Sequence, residues 1–278
     1  MPQESASVPK QGSHDAGRGV GSAAMSRFLS AAGALVDGIK INTVSREIRD
    51  GRPLWIKRRR RTAGPIMVCA NRFFRVVGNP IRALDDFAVW QRWEVDCFLA
   101  LHGDRFFAFV DGPRTVAAEE VPGVNLSHHL KAGTLSPAML SAAARELRRA
   151  HGRECANFSG PWSHGDPHAG NFVYEADADR ARLIDFEVQH HVSLPADDRH
   201  ADDLLVFLQD LVGRIPRDLW LPSALAFLTA YERPGIVARL RERLVAPRGL
   251  ARIWWAVRTT YLAPTELERR LASLRASL

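Results

Sequence analysis

Between Trp162 and Glu187 the chain reads WSHGDPHAGNFVYEADADRARLIDFE, and this stretch concentrates the side chains able to do chemistry. His164-Gly165-Asp166 lies in a loop, Asn171 follows five residues after Asp166, and Asp185-Phe186-Glu187 closes the segment. An amide oxygen and a carboxylate are the hard oxygen donors that Mg²⁺ prefers, and a carboxylate in a loop is placed to orient a hydroxyl or take its proton. His164, Asp166 and His168 also alternate as HxDxH, the spacing of a metal cluster. Alternate loop residues are poor evidence for zinc, however, and the rest of the chain supplies no matching ligand set.

Several elements must position these groups. A strand over Phe172 to Tyr174, a turn through Asp177 to Asp179 and a strand at Leu183 and Ile184 would deliver Asp185 beside Asn171. Upstream, Thr43 to Ile48 and Arg52 to Lys57 flank Asp50-Gly51, a hairpin turn signal because both residue types accept positive φ. The second of these strands ends on Lys57, which also opens the run Lys57-Arg58-Arg59-Arg60-Arg61; taken alone, such a run reads as a solvated face. Leu84, Phe87, Trp90, Trp93, Cys97, Phe98 and Leu101 recur at helical spacing and predict an amphipathic helix carrying Glu94, with Asp85 and Asp86 at its start and Gly103 at its end. Phe106 to Val110 and Thr115 to Glu120 form a second strand pair around Asp111-Gly112-Pro113. Ser136, with Pro137 behind it, opens a helix running to about His151. Another amphipathic helix is expected from Asp202-Asp203-Leu204-Leu205, 17 residues beyond Asp185.

The HxDxxxxN loop, the hairpin after it and the Asp-Phe-Glu triplet together resemble the catalytic core of the kinase-like phosphotransferases. Within that superfamily the segment looks closest to bacterial lipopolysaccharide sugar kinases, with kinship to RIO-type and aminoglycoside phosphotransferase-like enzymes. The resemblance implies an α+β, two-lobed protein-kinase-like fold with a small, mainly β N-lobe (27–122) and a mainly helical C-lobe (123–278). It implies ATP and Mg²⁺ as cofactors, Asp166 as the acceptor-orienting base, and Asn171 and Asp185 as metal ligands. His168, two residues past Asp166, would contact the transferred phosphate or the acceptor.

The same resemblance makes Lys57 the phosphate-binding lysine and Glu94 its partner acid, and casts Glu120 and Val121 as the interlobe hinge whose backbone holds the adenine edge; for this last segment a plain surface loop is the other reading. Asp203 is expected to bond the catalytic loop, with helix capping as the alternative. Two departures stand out: Gly38 to Asn42 contains no GxGxxG loop, and Glu187 stands where a glycine is usual. A pseudokinase scaffold without turnover would suit both, whereas Asp166, Asn171 and Asp185 together suit an active enzyme. The short interval after Asp185 leaves no room for a peptide-cradling activation segment. A small or sugar-like acceptor is therefore favoured over the protein substrate of an atypical, RIO-like kinase.

Composition sets the outer bounds. With 278 residues, 46% hydrophobic and 25% charged, the chain can bury a large core and is neither fibrous nor wholly disordered. Residues 1–26, rich in Gly, Ser and Ala, read as a disordered leader. Three widely spaced cysteines, Cys69, Cys97 and Cys155, read as reduced core thiols of a cytoplasmic protein. No apolar run is long enough to span a bilayer. The net charge is +7, divided as −7 over residues 164–203 and +6 over residues 231–278, an acidic belt beside a basic tail. That pattern suits a metal–nucleotide site near an anion-facing surface, with peripheral contact to an anionic membrane on its inner face and no specific nucleic-acid binding. Trp254, Trp255 and Tyr261 are read as core in preference to a membrane-surface motif.

Overall fold

The computed structural model describes residues 41–155, 158, 160–246, 255 and 262–278. Residues 1–26, read as a leader, Gly38 at the phosphate-loop position, and Trp254 and Tyr261 lie outside the described residues.

Strands β1 (Asn42–Arg49) and β2 (Arg52–Arg59) pair antiparallel through the Asp50-Gly51 turn. Both turn residues have positive φ, 51° and 75°, the geometry that matches the twist of a two-residue hairpin. With β4 (Ala108–Val110) and β5 (Thr115–Glu119) they make a four-stranded sheet in the order β1-β2-β5-β4. Alternation along β2 sends Leu54 and Ile56, each 2% exposed, to one face, and Trp55, Lys57 and Arg59 to the other. The basic run is therefore split: Lys57 points into the molecule and Arg59 is wholly buried, while Arg58, Arg60 and Arg61 remain exposed.

Helix α1 (Ala63–Val76), absent from the elements expected from the sequence, follows the basic run and carries Gly64-Pro65 in its first turn. Proline in a first helical turn does no harm, since the N–H it lacks would be unpaired there anyway. Strand β3 (Ile81–Ala83) leads to α2 (Phe87–His102), whose N-cap Asp86 accepts from the Val89 amide at 2.9 Å. Leu84 and Asp85 precede this helix rather than belonging to it. The second strand pair is shorter than expected and begins at Ala108.

At the junction of the two regions Gly123 has φ 123°, and a Cβ there would fall on the Tyr174 carbonyl. The chain then forms β6 (Val124–Asn125), α3 (Leu126–Ala132) and α4 (Pro137–Ala150), the last capped by Ser136. Strands β7 (Phe172–Glu175) and β8 (Arg180–Leu183) pair antiparallel beside β6. Strand β9 (Val188–His190) reaches back to pair with β3, so the segment after Asp185 is tied to the sheet-bearing half. Helices α5 (Ala196–Val212), α6 (Arg217–Tyr231), α7 (Pro234–Arg243) and α8 (Pro264–Ser277) complete the helical half.

Helix α5 starts six residues before the expected Asp202, so Asp202 and Asp203 stand inside it; its acidic first turns carry no apolar period to reveal them. Leu204, Phe207, Leu208 and Leu211 on α5 are fully buried, and Phe207 stacks on Phe227 at 4.1 Å between ring centres. Burial of such side chains contributes roughly 1.5–3 kcal/mol each, which makes α5 the spine of the helical lobe. Cys97 and Cys155 are buried core thiols, whereas Cys69 is exposed on α1. The fold class is α+β with a sheet-bearing N-lobe and a helical C-lobe, as the sequence implied.

Candidate active site

Lys57 is held between the two lobes. Its Nζ lies 2.8 Å from Glu94 Oε1 on α2 and 3.3 Å from Glu187 Oε1, and it donates to Asp185 Oδ1. Burial by itself would lower the Lys57 pKa, but the charges of Asp185, Glu94 and Glu187 outweigh it and raise it above its ordinary value. Asp185 is the mirror case: burial pushes its carboxyl up, and the Lys57 ammonium more than offsets this and holds it below the usual carboxylate range. Glu187 is pushed up to about 7, first by burial and then by the neighbouring Asp185 charge, with Lys57 opposing. The strand lysine, the helix acid and the carboxylate after β8 thus form one cluster. Asp185 has φ 69°, a left-handed conformation that Asp tolerates better than most residues and that turns the chain sharply out of β8.

The loop bearing Asp166 is held from beneath by Asp203 of α5. The amides of His164 and Gly165 donate to its two carboxylate oxygens at 2.8 and 2.7 Å, and His151 Nε2 lies 2.9 Å from Oδ2. His164 Nε2 faces the Ile184 carbonyl at 3.1 Å, while its Nδ1 receives the Asp166 amide at 3.3 Å. One nitrogen must donate and the other accept, so the ring is neutral; burial likewise lowers its pKa. Gly165, with φ 87°, leaves only 3.1 Å between a would-be Cβ and Val188 Cγ2. The loop's path against β9 therefore needs glycine.

On this support the Asp166 carboxylate is 42% exposed, and His168 Nε2 lies 4.0 Å from it. Asn171 Nδ2 donates to the Asp166 carbonyl at 2.9 Å, which leaves its amide oxygen as the free donor atom. The Ile184 amide donates to the Asn171 carbonyl at 2.9 Å, extending the β7–β8 ladder and setting Asn171 alongside the residue preceding Asp185. Phe186, 1% exposed, packs on His164 and Trp162 at 5.4 and 5.8 Å between ring centres, and its amide reaches Glu94 Oε1 at 3.4 Å.

Glu120 and Val121 stand apart from this cluster. The Glu120 side chain makes a bidentate pair with Arg46 of β1 at 2.8–3.0 Å, and its amide is taken by the Pro53 carbonyl at 2.9 Å; Val121 is buried. Asn42, Arg59, His151 and Asp210, whose carboxylate accepts from the Ala169 amide at 2.9 Å, support the site and were not singled out in the sequence. For Asn42 and Arg59 the signal was available: in the hairpin register set by Asp50-Gly51 they are direct cross-strand partners on the Lys57 face.

The donor set suits magnesium. Among the described residues no three His, Cys, Asp or Glu side chains are grouped to hold a metal ion by themselves, and Mg²⁺ is usually held by one or two protein oxygens together with substrate phosphates. The Asn171 amide oxygen and the Asp185 carboxylate are two such donors.

No protein-family model and no curated protein matches the chain. Among solved structures it is similar to Rv3197 of Mycobacterium tuberculosis in complex with erythromycin, with 21% identity over 66% of this chain and 51% of that one and a TM-score of 0.39. It is also similar to an ethanolamine kinase of Plasmodium vivax, with 10% identity over 86% and 83% and a TM-score of 0.45. A third similar structure is the PknI kinase domain of Mycobacterium tuberculosis, with 16% identity over 85% and 90% and a TM-score of 0.36. The match spans about half the length of the first of these structures.

Proposed function

We propose that the chain is a kinase-like phosphotransferase that uses ATP and Mg²⁺ to phosphorylate a hydroxyl of a lipopolysaccharide sugar or another small acceptor. The observation that carries this reading is the meeting of Lys57, Glu94 and Asp185 beside a loop that exposes Asp166. Lys57, kept charged by three carboxylates, neutralises nucleotide phosphate, and Glu94 fixes its position. Asn171 and Asp185 would hold the magnesium ion, which supplies charge neutralisation between phosphates. Asp166 orients the acceptor hydroxyl and takes its proton as the acceptor oxygen bonds to the γ-phosphorus and the bond to the β–γ bridging oxygen breaks, releasing ADP. His168 is placed to contact the transferred phosphoryl group or the acceptor.

The interval after Asp185 supports a small acceptor. Only β9 and one turn separate Asp185 from the start of α5 at Ala196, which is too little chain to cradle a peptide. If the acceptor is lipid-linked, the basic surface outside the acidic belt serves as a peripheral contact with anionic lipid.

Calorimetric titration of ATP with and without Mg²⁺ tests the reading. Wild type should bind Mg·ATP more tightly than ATP alone, and Asp185→Asn should lose most of that difference, about tenfold or more in Kd, because a charged hard ligand is removed. Equal ATP affinity with and without Mg²⁺ in wild type would favour a scaffold without turnover.

A further inference from the structure

Two residues beyond Lys57 on the same face of β2, Arg59 has no part in the chemistry above and yet is 0% exposed. Its guanidinium lies 4.1 Å from the centre of the Trp90 ring. Nη1 donates to the Leu84 carbonyl at 2.6 Å, Nε donates to Asn42 Oδ1 at 3.4 Å, and Nη2 is buried with no hydrogen-bond partner among the described residues. A buried guanidinium is costly unless its charge and donors are used. Burial lowers its pKa, and the charges of Glu187, Glu94 and Asp185, the same three carboxylates that surround Lys57, only partly oppose this.

The spacing of its contacts gives Arg59 a mechanical role. Lys57 and Arg59 are two residues apart on a strand, an advance of about 6.6 Å. Their partners Glu94 and Trp90 are four residues apart on α2, an advance of about 6.0 Å. Lys57–Glu94 and Arg59–Trp90 are therefore two matched rungs between one strand and one helix. A single rung would let the helix pivot about the ion pair; two rungs fix its rotation as well as its distance. The Leu84 carbonyl adds a hold on the segment that enters α2. Its far end is held independently, by His102 Nε2 at 2.7 Å from the Leu183 carbonyl and by Trp162 Nε1 donating to Cys97 Sγ at 3.2 Å. A third branch runs from Arg59 to Asn42, whose Nδ2 donates to Glu187.

We propose that Arg59 is a positioning residue that clamps α2 to β2, keeping Glu94 on Lys57 and, through Asn42, Glu187 in the same shell. The consequence for nucleotide binding rests on the phosphotransferase reading; the clamp itself does not.

Backbone amide exchange and Mg·ATP titration of the full chain test this in Arg59→Met, Arg59→Lys and Trp90→Leu. In Arg59→Met, amides of α2 should exchange about tenfold faster while those of α4 and α5 keep their wild-type rates, and the Kd for Mg·ATP should rise about tenfold. Arg59→Lys, which keeps the charge over Trp90, should stay within about threefold of wild type in both readouts. A folded Arg59→Met with wild-type α2 exchange and wild-type affinity would overturn the proposal. So would equal acceleration across α2, α4 and α5, which marks a general loss of stability. Should Arg59→Met not fold, Trp90→Leu carries the test: local acceleration in α2 supports the clamp, and its absence overturns it. If wild type binds no Mg·ATP, the phosphotransferase reading fails and the nucleotide consequence falls with it, while the exchange pattern still decides the clamp.

Discussion

Asp203 shows how much of the site hangs on single buried groups. Its carboxylate takes two loop amides and faces one histidine nitrogen, so Asp203→Asn puts an NH₂ group against a donor and leaves one amide unpaired, a loss of roughly 1–3 kcal/mol. Around it His151 and His200 stack at 3.9 Å between ring centres, and His151 also meets the Tyr231 hydroxyl at 2.7 Å. Burial lowers the pKa of His151 and His164 and brings His200 down from 6.5 to about 3. Burial would raise Asp203, but the hydrogen bond from His151 and the nearby imidazoles hold it well below the usual range. For a histidine with a depressed folded pKa, the unfolded chain takes up the proton first, so stability is fully present above about pH 6.5 and declines as pH falls toward about 3. Asp203 adds loss in the same direction below about pH 4. The Glu187 carboxyl, raised to about 7 in the fold, acts in the opposite sense over the same range, so the test uses a Glu187→Gln background, in which urea unfolding should give similar midpoints at pH 8 and 7 and a lower one at pH 5. A midpoint that holds or rises at pH 5 would contradict the neutral, buried histidine cluster, and a fully stable Asp203→Asn would remove its role under the loop.

At the scale of elements, the junction between lobes depends on Gly123, where φ is 123° and a side chain would meet the Tyr174 carbonyl. Gly123→Ala should destabilise by about 3 kcal/mol, read as a lower melting temperature, whereas Gly51→Ala in an open turn, with nothing within 4 Å of its Cβ position, should cost about 1 kcal/mol. Equal effects would mean that the junction is not the tight crossing described. The elements legible in the sequence were those with strong local signals: the Asp50-Gly51 hairpin, the Asp86-capped α2, the Ser136-capped α4 and the β7–β8 hairpin. Those missed lacked such signals. Helix α1 hides behind Gly64-Pro65, and the start of α5 is acidic enough to pass for a loop. At the site, the loop and triplet were legible because their residue types and spacing are local. His151 was not, since a residue's burial depends on what the rest of the chain packs against it; for Arg59 and Asn42 the hairpin register places them on the Lys57 face, but their burial was hidden because the sequence neighbours of Arg59 are basic.

For the whole molecule, the proposal of peripheral membrane contact is narrower than the charge run suggested. Arg58, Arg60 and Arg61 are exposed and Arg59 is not, and among the described residues no helix is long and apolar enough to cross a membrane. Near an anionic surface each exposed basic residue contributes roughly 1 kcal/mol, and the attraction fades as the Debye length falls from about 10 Å at 0.1 M salt to about 3 Å at 1 M. The protein should co-sediment with anionic vesicles at low salt and be released at high salt, and replacing Arg60 and Arg61 by Ser, with Arg59 left intact, should weaken binding without unfolding. Indifference to lipid charge would leave a soluble acceptor. Both lobes matter to one event only if phosphate moves from nucleotide to acceptor, and the most direct measurement is transfer of label from γ-labelled ATP to separated cell-envelope, small-molecule and protein fractions. The account predicts Mg²⁺-dependent label in the envelope or small-molecule fraction with wild type, reduced about 10²-fold or more with Asp166→Ala while its melting temperature holds. Label in no fraction, or equal labelling by Asp166→Ala, would contradict it.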